Sequence, residues 1–274
     1  MGRQRAGRRR GPVRPVATAV LVLSLAGVLV PRLARPGTAR EVAGTGPVEA
    51  GVYATREGLV GQHTANGHLI TAGDHFVSLP SVGALSPRDS GTYSVRVCAP
   101  ATGRCGYEPV WDVGPWNTRD DYWSATRSVF ATLPVGLPEA AAAALAHFNG
   151  GRDQYGRLVT NPAGIDLADG TFRADLGLTA SGWVQVAFLW TGPGTQGQIR
   201  TAGGTLNVRS GPSTTATAVG VAANRARVPV LCAVPGSVVS GPSGTSATWV
   251  RIGPGHYVAA AFVAVDPGVV PPAC

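Results

Sequence analysis

Glycine and proline punctuate this chain too densely to leave room for many helices. It carries 38 glycines and 22 prolines in 274 residues, with only 14% charged positions, a composition that favours short strands and turns over long charged helices. One segment escapes: Pro138-Glu139, the run Ala140 to Ala144, Leu145 and His147 precede the stop Asn149-Gly150-Gly151. This predicts a helix with proline in its first turn and glycines past its end. A shorter helix is expected over Ser124 to Leu133. Thr92 to Cys98 and Trp183 to Trp190 are rich in β-branched and aromatic residues and bounded by Gly, Pro and Ser, so they read as strands.

All 23 basic residues are arginine. Nine of them lie in the first 40 residues, which hold no acid, so residues 41–274 carry 14 arginines against 15 acidic residues. The net charge of +8 therefore belongs to the leader, and the near-neutral body lacks the cation surplus that nucleic-acid binding needs. Val16 to Val30 is an uncharged apolar run behind this arginine-rich start, with small residues at Gly37 and Ala39. Residues 1–40 read as a secretory signal. The alternative is a retained anchor, the only membrane contact expected, although the run is shorter than the roughly 20 residues of a spanning helix. The expected location is secreted or cell-wall associated.

Export makes disulfides available to the four cysteines, which allow three pairings. Cys98 and Cys105 flank a turn-rich segment between two β-rich stretches, so a hairpin staple is the economical choice, leaving Cys232 to pin the tail at Cys274. No Cys-x-x-Cys or His-Glu-x-x-His spacing supports a metal site, and neither metal nor cofactor is expected.

Thr191 to Gly204, with five glycines, divides the chain as a linker or an extended lead-in strand. Beyond it, Leu206 to Ser213 (LNVRSGPS), Trp249 to Ile252, Gly255 to Val258 and Ala261 to Val263 resemble, in order, the strands of bacterial SH3-like domains. The resemblance covers residues 205–266, leaves 267–274 as a tail, and implies adhesion to cell-wall peptide or glycan. His256-Tyr257 stands where that family often has Trp. The motif set is complete in this window, so residues 200–265 are expected to fold alone.

Residues 50–190 present Thr64-Ala65-Asn66-Gly67, then Pro109 to Trp116 (PVWDVGPW), then Ala163 to Ala168 (AGIDLA). This order resembles the double-psi β-barrel family that includes rare lipoprotein A and the expansins, in which three such motifs meet at one groove. Val113 replaces the family's usual Arg, Trp116 its Phe and Ala168 its Ser, and the insertion from Asn117 to Thr160 is long. The fold expected is mainly β: a double-psi-like barrel with a long, partly helical insertion, then a small SH3-like barrel.

Asp112, between Trp111 and Val113, is the best acid candidate, because an apolar setting disfavours a charged carboxylate. Asp166 is a second carboxylate from another strand. Trp111, Trp116 and Trp123 crowd the same region with faces suited to sugar rings or to a core, and His75, before Leu79-Pro80, is a further groove candidate. Asn117, Asp120 and Asp121 match no calcium loop and are expected at the surface. The expectation is a monomer that binds peptidoglycan, through glycan or peptide; the alternative is a lytic transglycosylase with Asp112 as general acid.

Overall fold

A computed structural model describes residues 46–266 and 268–274; the signal expected at 1–40 lies outside the described residues. No helix among them is long and apolar enough to cross a membrane.

Six strands close into a barrel: β1 (Val48–Arg56), β2 (Val77–Leu79), β3 (Ser94–Ala99), β4 (Arg104–Val113), β5 (Ala163–Leu167) and β6 (Gly182–Phe188). Their order is β4-β2-β5-β1-β6-β3, and the β3–β4 hairpin closes the circuit. The pairs β1–β5 and β2–β4 are parallel and the other barrel pairs antiparallel. Alternation makes the strands: Val52 and Ala54 on β1, Val95 and Val97 on β3, and Val184 and Val186 on β6 all point into one apolar core, while the intervening residues face outward.

Between β4 and β5 runs the insertion, whose helix α1 (Glu139–Ala146) follows Pro138 as expected and ends at His147 in the left-handed region. Gly164 on β5 admits this segment, since a Cβ there would lie 2.3 Å from Cγ of Pro138. The helix expected over 124–133 is absent; that stretch is a series of turns. Ser124 Oγ accepts from the Thr126 amide, a local alternative to helical bonding, and Arg127 is drawn inward to Asp120 and to the Leu137 carbonyl.

The strands that follow are β7 (Gln196–Ile199), β8 (Thr205–Arg209), β9 (Ala218–Ala223), β10 (Arg227–Pro229), β11 (Cys232–Gly241), β12 (Gly244–Gly253), β13 (His256–Ala259) and β14 (Val263–Val265). β7 lies within the 191–204 stretch and pairs with both β10 and β14, so that stretch contributes a strand to the second module's three-stranded sheet. The two modules share a sheet: β9 pairs in parallel with β4, setting Gly220 opposite Cys105 and Ala222 opposite Tyr107. They also share a core, because Tyr107, Ala187 and Leu189 pack with Val208, Val250, Ile252 and Val258. Trp249 is buried outside this cluster, beside Gly236, its indole donating to the Ser237 carbonyl.

Both disulfides form as expected. Cys98–Cys105 staples the β3–β4 hairpin, and Cys232–Cys274 holds the tail, whose Cys274 amide also donates to the Ala233 carbonyl.

Candidate functional site

The three sequence motifs of the first module converge on the outer face of its barrel. β2 runs between β4 and β5, with Ser78 opposite Asp112 on one side and Asp166 on the other; Thr55 of β1 lies opposite Asp166. Directly opposed residues share a face of the sheet, so Asp112, Ser78, Asp166 and Thr55 form one polar row across four strands.

Each member is fixed. Asp112 Oδ1 accepts from the Ala65 amide at 2.7 Å and from the Val113 amide at 2.8 Å, so the Thr64-Ala65-Asn66-Gly67 turn sits on the aspartate. Asp166 accepts from the Thr55 hydroxyl, and Gly114 approaches it closely enough that a Cβ there would lie 3.9 Å from Oδ2.

Glu57, which the motif pattern does not single out, completes the group. It follows β1 on the Thr55 face and accepts a hydrogen bond from the Ser78 hydroxyl. Burial pushes its carboxyl up to about 8; the Ser78 bond opposes this, and the charges of Asp166 and Asp112 reinforce it. Burial likewise lifts Asp166 to about 6, against its bond from Thr55 and with help from Asp112. At neutral pH the row therefore holds a protonated carboxyl, Glu57, close to Asp112. The signal for Glu57 is in the sequence: Tyr53, Thr55 and Glu57 alternate with the core residues Val52 and Ala54.

Aromatic residues flank the row unevenly. Trp111 is half-buried, stacks on Phe76 with ring centroids 5.8 Å apart, lies 4.9 Å from the His68 ring, and donates its indole N–H to the Ser90 carbonyl. Trp116, also half-buried, packs on Ala140, Ala143 and Val159, with its indole 3.2 Å from Asn161 Oδ1. Two expected ligand-side residues lie elsewhere. Trp123 is only 7% exposed and packs on Phe188 and Trp190 because the barrel end needs its apolar bulk. His75 turns away from the Ser78 face, placing Nδ1 2.6 Å from the buried carboxylate of Asp175. Behind Asp175 is Glu108, wholly buried and pushed well above the ordinary carboxyl range by burial and then by Asp175.

The surface position expected for Asn117 and Asp120 is corrected: both are buried. Asp120 pairs with Arg127 and accepts from the Glu139 amide at 2.7 Å, while Asn117 donates to Glu139 at 2.8 Å. A long insertion without a continuous apolar core is held by this polar network. Burial raises Asp120 to about 6, opposed by Arg127, and Glu139 to about 7, opposed by Asn117.

Residues 38–187, which carry the whole row, match a family described as a domain of unknown function, DUF8814. The chain belongs to the DUF8814 family. Residues 204–264 match the bacterial SH3 domain. No curated protein and no solved structure matches the chain. The DUF8814 domain thus owns the carboxylate row and its aromatic flanks, and the bacterial SH3 domain owns the fused second barrel. No group of His, Cys, Asp and Glu among the described residues is arranged to hold a metal ion.

Proposed function

We propose that this is an exported envelope protein that binds peptidoglycan, using the outer-face row of the DUF8814 barrel as a groove and the bacterial SH3 domain as a second wall contact. The observation that carries the groove is the meeting of the three motifs at Asp112, Ser78 and Asp166. Six closed strands with two parallel pairs support the double-psi reading of the barrel, and the SH3 match and the two disulfides fit an extracellular setting. Retention of the purified chain on isolated wall sacculi, with loss of retention when Trp116 is replaced by Ala, tests this; a chain that washes through sacculi rejects it.

A second reading, lytic transglycosylase, is favoured by the protonated Glu57 beside Asp112. In that reaction an acid protonates the glycosidic oxygen as the C1–O bond breaks. The sugar's own hydroxyl then closes on C1 in place of water, giving up its proton to a carboxylate. Glu57 is the group that holds a proton at neutral pH, so in this reading it supplies the acid and Asp112 the acceptor, the reverse of the role given to Asp112 from sequence. Mass spectrometry of digested sacculi for anhydro-muropeptides is the test, and absence of such products from several walls leaves binding alone.

A further inference from the structure

The two modules differ in charge. Residues 46–199 hold 9 arginines and 13 acidic residues, whereas residues 200–266 hold 5 arginines and the single acid Asp266. Two of those five arginines stand in one line. Arg251 of β12 lies opposite Tyr257 of β13, and Tyr257 lies opposite Arg209 of β8, so the three side chains share one face across three adjacent strands. The flanking residues fix which face. Val208, Val250, Ile252 and Val258 all point into the core, and His256 reaches the first module through Tyr107, so the row Arg251-Tyr257-Arg209 is on the outside of the second barrel.

This row is unsatisfied in a particular way. Among the described residues neither Arg209 nor Arg251 forms an ion pair. Arg209 donates once, to the Ala216 carbonyl at 2.7 Å, and Arg251 once, to the Gly253 carbonyl at 3.4 Å. Each guanidinium keeps donors for a ligand. All three side chains are half-buried, so the cations are partly desolvated and less screened than those on freely extended arginines. No aromatic ring and no cation among the described residues stacks on Tyr257. A half-buried tyrosine ring with no stacking partner, between two guanidiniums that keep unused donors and stand on backbone positions about 10 Å apart across two strand spacings, is a platform for a ring that carries negative charge.

We infer that the Arg251-Tyr257-Arg209 face binds an acidic saccharide, with a sugar ring on Tyr257 and carboxylate or phosphate groups on the two arginines. Guanidinium forks match either anion bidentately, and a tyrosine face suits a sugar ring. The proposal deepens the wall-binding reading and rests on it only in taking the ligand to be a saccharide.

The full chain is titrated with trigalacturonate, with maltotriose phosphate and with neutral maltotriose. At least one anionic trisaccharide should bind, with maltotriose at least about 10-fold weaker, and the better anion identifies carboxylate or phosphate as the group read. Arg209→Gln with Arg251→Gln should cost about 10- to 100-fold, the effect of removing charge-assisted hydrogen bonds. Tyr257→Ala should cost several-fold, with most of the affinity kept in Tyr257→Phe. Equal binding of maltotriose, wild-type affinity in the folded arginine variant, or no binding of either anion overturns the proposal. Should the arginine variant fail to fold, affinity of the wild type that does not fall between about 50 and 300 mM salt overturns it equally. Sacculi retained while both anionic trisaccharides fail would sink this proposal and leave the wall-binding reading standing.

Discussion

The Tyr107 hydroxyl of the first barrel lies 2.7 Å from Nδ1 of His256 in the second, inside the seam where the two modules join. Burial pushes the phenol up to about 12, and burial with the nearby Arg96 charge lowers the histidine. Both groups are therefore neutral at pH 7, and the phenol and the imidazole nitrogen share one hydrogen bond. Tyr107→Phe removes the hydroxyl and leaves Nδ1 without its partner, so a loss of about 1 kcal/mol is expected in denaturant unfolding of the full chain.

The shared sheet predicts how the chain unfolds. Gly220 sits so close to β4 that a Cβ there would lie 2.2 Å from the Cys105 carbonyl oxygen. The obstacle is backbone, which cannot swing aside, so Gly220→Ala should cost at the upper end of the roughly 1–3 kcal/mol typical of overpacking. With Tyr107, Ala187 and Leu189 completing the second core, intact protein should show one cooperative thermal transition. A fragment of residues 200–265 should melt well below it. Two separate transitions in the intact chain would refute a shared core.

How far this arrangement was legible in the sequence depends on range. Local signals were enough for α1, whose proline and glycines bound an alanine run, and for the Cys98–Cys105 staple, whose partners flank a turn. The meeting of Thr64-Ala65-Asn66-Gly67 with Asp112 was legible through family resemblance. Long-range pairings were not. Nothing local marks Gly220 as a residue that must touch β4, or Arg127 and Asp120 as a buried pair, because those depend on strands and loops about a hundred or more residues apart, or on an insertion whose path no repeat period reveals. Glu57 sat between these cases, since its face was set by alternation but its carboxylate neighbours only by tertiary pairing.

Stability should fall as pH rises from about 5 to 8. The folded pKa values of Glu57, Glu139, Asp120 and Asp166 are raised to about 8, 7, 6 and 6, against ordinary values of 4.5 for Glu and 3.8 for Asp. Across that window the folded chain holds more protons than the unfolded one, and stability declines with pH wherever that is true. His256 acts in the opposite sense, its lowered pKa costing stability as pH drops below its ordinary 6.5. The thermal midpoint measured against pH should decline towards pH 8, and Glu57→Gln should flatten the upper part of the decline. A midpoint that climbs steadily from pH 5 to 8 would contradict the raised carboxyls.

Exchanging Glu57 and Asp112 of the barrel's polar group for their amides separates turnover from adhesion. If the row turns over glycan, Glu57→Gln should lower release of anhydro-muropeptides by roughly 10²–10⁴-fold, the usual worth of a general acid, while retention on sacculi stays near wild type. Asn at position 112 keeps an oxygen for the Ala65 and Val113 amides but not the charge, so Asp112→Asn should also slow turnover, with the barrel still folded. The pH profile separates acid from acceptor: with Glu57 as the acid, turnover falls as pH passes about 8, where that carboxyl loses its proton. Full activity in Glu57→Gln with none in Asp112→Asn would return the acid role to Asp112. If wild-type protein yields no anhydro products, the row serves adhesion, and Trp116→Ala should then weaken retention more than either amide exchange, because stacking area rather than proton transfer would hold the glycan.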